Sequence, residues 1–299
     1  MSSELLVAIG AGLGGMLGWG LADFFAKKTI DEIGDVVTLA WGHVFGTATL
    51  FIVAVYQVVI NKQSVEVATD YRTLTLLVTF GIIQAIIYLL LYIGFGKGQV
   101  SVLNPIFASF SGITAILSIV LLNETTSGSL AIGLTAIFIG ILLVSIDFKA
   151  LKHKRRVSFT HIPGFKEVVI ATIFAAVWTL FWDIFLGGSD WLSYTLYMYS
   201  FMTIAIIIIA IVRGINLLKI KSGMWVYLIL IGAFEIVAYL AIAWGYSTTN
   251  KTSIVALLSG AFSLPTVILA RLFLKEKITT NQTVGGLIIV TGIILLSVL

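Results

Sequence analysis

GIIQAIIY at residues 81–88 and GAFEIVAY at residues 232–239 align without a gap, placing Gly81, Gln84 and Tyr88 on Gly232, Glu235 and Tyr239. The likeness continues in both directions. One further residue of offset puts Ser101, Phe110, Leu117, Leu122, Glu124, Gly133 and Gly140 on Ser253, Phe262, Leu269, Leu274, Glu276, Gly285 and Gly292. Earlier in the chain the register is looser, with Trp19 on Trp178 and Thr47 on Thr203. The second half of the chain therefore repeats the first.

The composition says what is being repeated. Of 299 residues, 59% are hydrophobic and only 11% charged, with a mean hydropathy of +1.10. A soluble domain carries about 25% charged residues. Apolar runs of about 20 residues recur, the length that crosses about 30 Å of hydrocarbon. Ten are read, at 4–27, 36–60, 73–96, 100–122, 128–147, 165–187, 191–213, 223–246, 252–274 and 280–299. They are continuously apolar rather than alternating, which favours helices over a barrel. The expected fold is an all-α polytopic membrane protein: ten transmembrane helices as two inverted five-helix repeats. Five crossings per copy turn the second copy upside down, and such inverted pairs recur in secondary transporters. The expected division is a first repeat over 1–148, a basic linker over 149–164 and a second repeat over 165–299.

With no cysteine, disulfide and thiolate chemistry are excluded. Phosphate loops, paired histidines at metal-ligand spacing and nucleophile elbows are missing from the sequence, so neither an enzyme nor a metal or cofactor is expected. Fifteen of the 18 Lys and Arg fall in connections after odd-numbered segments; only Lys62, Arg72 and Lys251 fall after even ones. The positive-inside rule makes the first side cytoplasmic and leaves both termini outside, in a cell (inner) membrane. The charges flank membrane segments, which argues against nucleic acid. The cluster Lys152–Arg156 reads as a topology determinant and linker, or as a site for lipid headgroups.

Small residues at four-residue spacing, Gly10, Gly14, Gly18, Ala22 and Ala26, let a neighbouring helix approach the first segment closely. The Gly133/Gly140 and Gly285/Gly292 pairs do the same within the chain or at a homodimer face, leaving monomer and homodimer both open. Pro105 and Pro265 fall in corresponding segments at different positions, and each removes a backbone donor.

Four ionisable side chains lie deep in the apolar runs: Asp23, His43, Asp183 and Glu235. An ion at the bilayer centre costs about 2.5–3.5 kcal/mol on insertion scales, so each is a candidate for proton coupling. Glu235 stands foremost, because its repeat mate is the neutral Gln84 and each has a tyrosine four residues on. Asp23 shares a face with Trp19, or else pairs with Lys27 at the helix end. Asp183 follows Trp178 and Trp182. His43 is a proton relay or a neutral, hydrogen-bonded histidine. Trp19, Asp23, Gln84, Tyr88, Tyr92, Trp178, Trp182, Glu235 and Tyr239 are the expected substrate contacts, with Trp19 and Trp178 on opposite walls of one cavity. Aromatic rings beside carboxylates suit a small amphipathic solute bearing an amine.

Three stretches carry a family resemblance: Leu17-Gly18-Trp19-Gly20, Val120 to Glu124 with Gly133 and Gly140, and Leu272 to Glu276 with Gly285 and Gly292. They are similar to the drug/metabolite transporter superfamily, in particular its ten-helix EamA-type members. Asn123 and Lys275 stand where that family usually has glycine. The resemblance implies a basket of ten helices around a cavity formed mainly by segments 1, 3, 4, 6, 8 and 9. Members move amino acids, nucleotide sugars, drugs and other metabolites, many by export. The reading is a secondary transporter that exports a small amphipathic metabolite such as an amino acid, with protons as the coupling ion. An uptake carrier for a sugar or nucleoside is the alternative, and a membrane scaffold or lipid-handling protein a more distant one.

The topology is directly checkable. A reporter that fluoresces only in cytoplasm should stay dark at the C-terminus and light up when inserted within 149–163; the reverse pattern overturns the orientation.

Overall fold

Continuous apolar sequence leaves the backbone no partner in lipid but itself, and helices result. The computed structural model describes residues 3–62, 70–97, 103, 106–145, 163–187, 189–273 and 278–297, apart from the side chains of 27, 31, 95, 96, 145, 270 and 297. The helices are α1 Ser3–Ile33, α2 Asp35–Val59, α3 Tyr71–Lys97, α4 Phe110–Leu121, α5 Gly128–Ser145, α6 Phe165–Leu186, α7 Trp191–Val212, α8 Trp225–Thr248, α9 Thr252–Gly260, α10 Ser263–Phe273 and α11 Thr280–Ser297. Among the described residues the ninth segment is two helices, α9 and α10, parted at Ala261–Phe262. Seven spans are long and apolar enough to cross a membrane, with α9 and α10 counted together; Ile106–Leu121, Gly128–Val144 and Thr280–Leu296 are shorter apolar helices. The protein is thus an all-helical polytopic membrane protein of two five-helix repeats. Pro105, Glu276 and residues 149–162 of the expected linker lie outside the described residues.

Packing obeys the repeat. Replacing each helix by the one five crossings on turns the α1–α8 contact into α6–α3, α2–α8 into α7–α3 and α1–α9 into α6–α4; all six are present. The α5–α11, α2–α7 and α4–α9 contacts map onto themselves. The major contacts therefore run between the halves.

Glycine makes these contacts possible, since lipid is as apolar as leucine and association needs close backbones. A Cβ on Gly140 would sit 2.7 Å from the Gly285 carbonyl oxygen, and one on Gly285 2.8 Å from that of Gly140. Gly133 and Gly292 face each other in the same way, so these pairs serve α5–α11 packing within the chain. Along α1, Gly14 meets Ala241 and Gly18 meets Phe234 and Ala238; Ala22 and Ala26 cluster with Leu228 and Ile231 of α8. Sequence number rises along α1 as it falls along α8, so the two are antiparallel.

Interruptions in the fourth and ninth segments are also matched. The helix breaks at Ser109 and again at Ala261, which are repeat mates, although Pro105 and Pro265 are not. Pro265 occupies the third residue of α10, where its missing N–H costs little. Gly164 caps α6 at φ +80°, hard against the Gly94 carbonyl, a place for glycine alone.

Gly10 has open space around its missing Cβ, whereas one on Gly232 would lie 2.6 Å from the Gly42 carbonyl oxygen. Gly232→Ala should lower unfolding stability by about 1–3 kcal/mol, the usual cost of overpacking. Gly10→Ala should be neutral or raise it by up to about 1 kcal/mol through helix propensity. Thermal unfolding of the two variants in detergent checks the contrast.

Candidate functional site

A cavity lies between α1, α2, α3 and α8. Its lining runs from Trp19, His43 and Glu235 at mid-helix, past Tyr88 and Tyr92, to Ala26 and Thr38 near the α1–α2 connection. Asp23 belongs to this lining and is exposed. Among the described residues, no lysine or arginine lines it. The space that the centre of a water-sized sphere can reach is about 40 Å3. That is room for about three waters, too little for an amino acid, so a solute needs a wider state.

Glu235 is buried and well held. Tyr199 Oη donates to its Oε2 at 2.8 Å, and His43 Nε2 lies 3.4 Å from its Oε1. The ring of Tyr199 stacks on His43, centroids 5.2 Å apart and planes 11° from parallel. Behind this pair Gln84 Nε2 donates to Tyr239 Oη at 3.0 Å, and Tyr239 Oη lies 3.4 Å from Tyr88 Oη. Thr47 of α2 and Thr203 of α7 share a hydroxyl–hydroxyl bond of 2.9 Å.

Repeat mates therefore meet one another at the centre: Tyr88 with Tyr239 and Thr47 with Thr203. His43 and Tyr199 have the offset of the threonine pair, so they too are mates. A local two-fold axis passes through these contacts. It makes Glu235 and Gln84 equivalent in place but not in chemistry.

Three polar atoms around this centre are buried with no hydrogen-bond partner among the described residues: Trp19 Nε1, His43 Nε2 and Gln84 Oε1. A buried donor without a partner costs about 1–3 kcal/mol, so such atoms mark places where a ligand or water completes the bonding. Trp19 packs edge-on to Tyr239 and Phe262, with its N–H left over.

Other expected contacts lie elsewhere. Trp178 and Trp182 are buried outside the cavity lining; Trp178 Nε1 donates to the Phe80 carbonyl at 2.9 Å, and the two indoles stack at 5.5 Å. They hold α6 against α3, so Trp19 and Trp178 do not line opposite walls of the described cavity. Asp183 is also outside the lining: Thr252 Oγ1 donates to its Oδ2 at 2.6 Å. The next residue, Ser253, donates from both N and Oγ to Glu124, at 3.0 and 2.5 Å. Glu124 thus accepts a backbone N–H at the N-terminus of α9, with Asp183 held beside it by the Thr252 hydroxyl, where the helix dipole favours negative charge. The Asn250 N–H donates to Glu4 at the start of α1, so this seal lies at the end of α1 opposite Ala26.

Sequence reasoning named Glu235, Gln84, Tyr88 and Tyr239 but gave no role to Tyr199, Thr252 or Ser253. Applying the Thr47–Thr203 offset to His43 would have found Tyr199.

Outside the membrane spans, Lys221 pairs with Glu32 and holds its carboxyl below the ordinary value through a hydrogen bond and charge attraction. Asp70 is likewise held low, chiefly by the Thr73 backbone N–H at the start of α3.

Comparisons with known proteins agree with this architecture. The sequence model of the EamA-like transporter family matches residues 6–146 and again 164–298. An uncharacterised protein of Methanocaldococcus jannaschii is 34% identical over 90 residues, covering 30% of this chain and 66% of its own length. A solved crystal structure with 13% sequence identity superposes at a TM-score of 0.79, over 99% of this chain and 96% of the other. At that identity the likeness speaks for the fold.

The native chain has no cysteine, so single cysteines report accessibility cleanly. Asp23→Cys should react readily with a membrane-impermeant maleimide applied from the side of the α1–α2 connection. Asp183→Cys should resist labelling from either side, and rapid reaction there would contradict the seal.

Proposed function

The chain belongs to the EamA-like transporter family, and from that premise we propose that it exports a small, amine-bearing amphipathic metabolite such as an amino acid, in exchange for protons. The family makes it a membrane transporter of the drug/metabolite type. Substrate, direction and coupling are our reading, and the observation that carries it is the lining of the cavity. Asp23 and Glu235 supply negative charge, Tyr88 and Tyr92 supply aromatic surface, and Trp19 offers an unused N–H. An ammonium group suits the carboxylates and the rings; a carboxylate or carbonyl on the solute suits the indole donor.

Direction rests on two features together. The lining extends toward the α1–α2 connection, and the distribution of lysine and arginine assigns that side to the cytoplasm of a cell membrane, with both termini outside. The end near Glu4 is closed by Thr252 and Ser253 on Asp183 and Glu124. A solute would thus be loaded from inside, and the opposite state would arise as the repeats over 1–148 and 165–299 rock about their contacts, joined by the linker at 149–164. Glu235 is the proposed proton carrier, since losing its charge relieves the cost of burial.

A thermal-shift screen of amino acids, nucleosides and sugars on the purified protein should pick out amine-bearing amphiphiles; stabilisation by neutral sugars or nucleosides alone would favour uptake of those instead. For the hit, Glu235→Gln should fold normally but lose proton-coupled movement in proteoliposomes, because shape is kept and titration is not. Wild-type rate and pH dependence in that variant would remove Glu235 from the mechanism.

A further inference from the structure

We propose that the exchangeable proton belongs to His43 and Glu235 jointly, as one site holding one proton, with Tyr199 as the residue that positions both. This rests on the reading of Glu235 as the coupling group and adds what the carboxylate alone does not supply.

The argument begins at the far side of the imidazole. His43 Nδ1 lies 2.8 Å from the Leu39 carbonyl oxygen, one turn back in α2. A carbonyl only accepts, so Nδ1 carries a hydrogen. Whether the ring is neutral or charged is then decided at Nε2 alone, and Nε2 is the nitrogen 3.4 Å from Glu235 Oε1. It has no other partner among the described residues. The other carboxylate oxygen is taken by Tyr199 Oη, which leaves Oε1 as the oxygen facing the imidazole. Tyr199 is fully buried and stacked on the same imidazole, so one side chain fixes the carboxylate and the ring together.

Charge counting follows from this geometry. A single proton can sit on Nε2, giving imidazolium and carboxylate, or on Oε1, giving two neutral groups. Both arrangements have zero net charge. Removing the proton leaves a net negative pair, and adding a second leaves a net positive one, each costly at the membrane centre. The facing groups do not offset either change by themselves: Asp23 comes from α1, Gln84, Tyr88 and Tyr92 from α3, Tyr199 from α7 and Tyr239 from α8, and among the described residues the lining has no lysine or arginine. Once the proton has left for water, a positively charged group in the cavity offsets the charge left on the pair. The proton and the ammonium group of a solute are therefore alternative occupants of one electrostatic place.

The test needs no solute. The full chain, labelled with 15N-histidine and carboxyl-13C glutamate and reconstituted in nanodiscs, is followed by NMR across pH. His43 is separated from His153 and His161, and Glu235 from the other glutamates, by difference spectra against His43→Asn and Glu235→Gln. The expected result is that the His43 and Glu235 signals move together with a common midpoint, and that Tyr199→Phe shifts that midpoint for both. Independent midpoints, or a His43 signal indifferent to Glu235→Gln and Tyr199→Phe, overturn the shared site. Because the reading is taken without transport, it fails or stands separately from the export assay: a carrier whose Glu235 titrates alone keeps its proposed function and loses only the pairing.

Discussion

Close approach of backbones across the two halves is the constraint from which the rest of the structure follows. In lipid no hydrophobic force draws one apolar helix to another, so helices must meet where side chains are small enough for main chains to touch. Here those places are the Gly14–Gly18 stretch of α1 against α8, Gly232 against Gly42 and Gly46 of α2, and the reciprocal glycine pairs of α5 and α11. Every one of these contacts joins a helix of one repeat to a helix of the other. The halves are therefore interleaved, and a cavity lined by α1, α2, α3 and α8 draws on both.

The sequence disclosed this plan unevenly. Glycine spacing and the repeat register were legible, and the register proved more informative than hydropathy: Gly81 and Gly232, repeat mates in sequence, do equivalent work against α7 and α2. Facing was much less legible. A helix that is apolar all round has no amphipathic stripe to say which side looks inward. Trp19 and Trp178 are repeat mates with opposite uses, one indole N–H left over beside the cavity and the other donated to the Phe80 carbonyl. Nothing in the residues flanking Trp178 distinguishes those outcomes. Tyr199 was hidden for a related reason. Among ten tyrosines in an apolar chain, Tyr199 has no acidic neighbour in its own helix, and its partner Glu235 lies 36 residues away.

Departures from the two-fold are where chemistry enters. A strictly symmetric protein would carry the same group at Gln84 and Glu235 and at His43 and Tyr199. Instead the acid of the second half lies against the base of the first, next to the axis that relates the halves. A carboxylate with an amide mate and an imidazole with a phenol mate give one acid–base contact where symmetry would have given two or none. The duplication supplies the cavity, and in the reading proposed above these two substitutions give it a place for a single proton.

Acidic residues in and beside the membrane segments also divide by how far their oxygens are already engaged. Asp183 and Glu124 are fastened to Thr252 and Ser253 at the N-terminus of α9, in bonds of 2.5–3.0 Å that use hydroxyls, a backbone N–H and the dipole of the helix. Carboxylates so engaged close the structure at that end. Asp23 is exposed in the cavity lining, and Glu235 has one oxygen bound by Tyr199 and the other facing an imidazole nitrogen that lacks a hydrogen bond. Counting acids in the apolar runs treats Asp183 and Glu235 alike, because the cost of burying a charge is the same for both. What separates them is the unfilled hydrogen-bonding capacity around each, and that capacity is concentrated where Trp19, His43 and Gln84 meet.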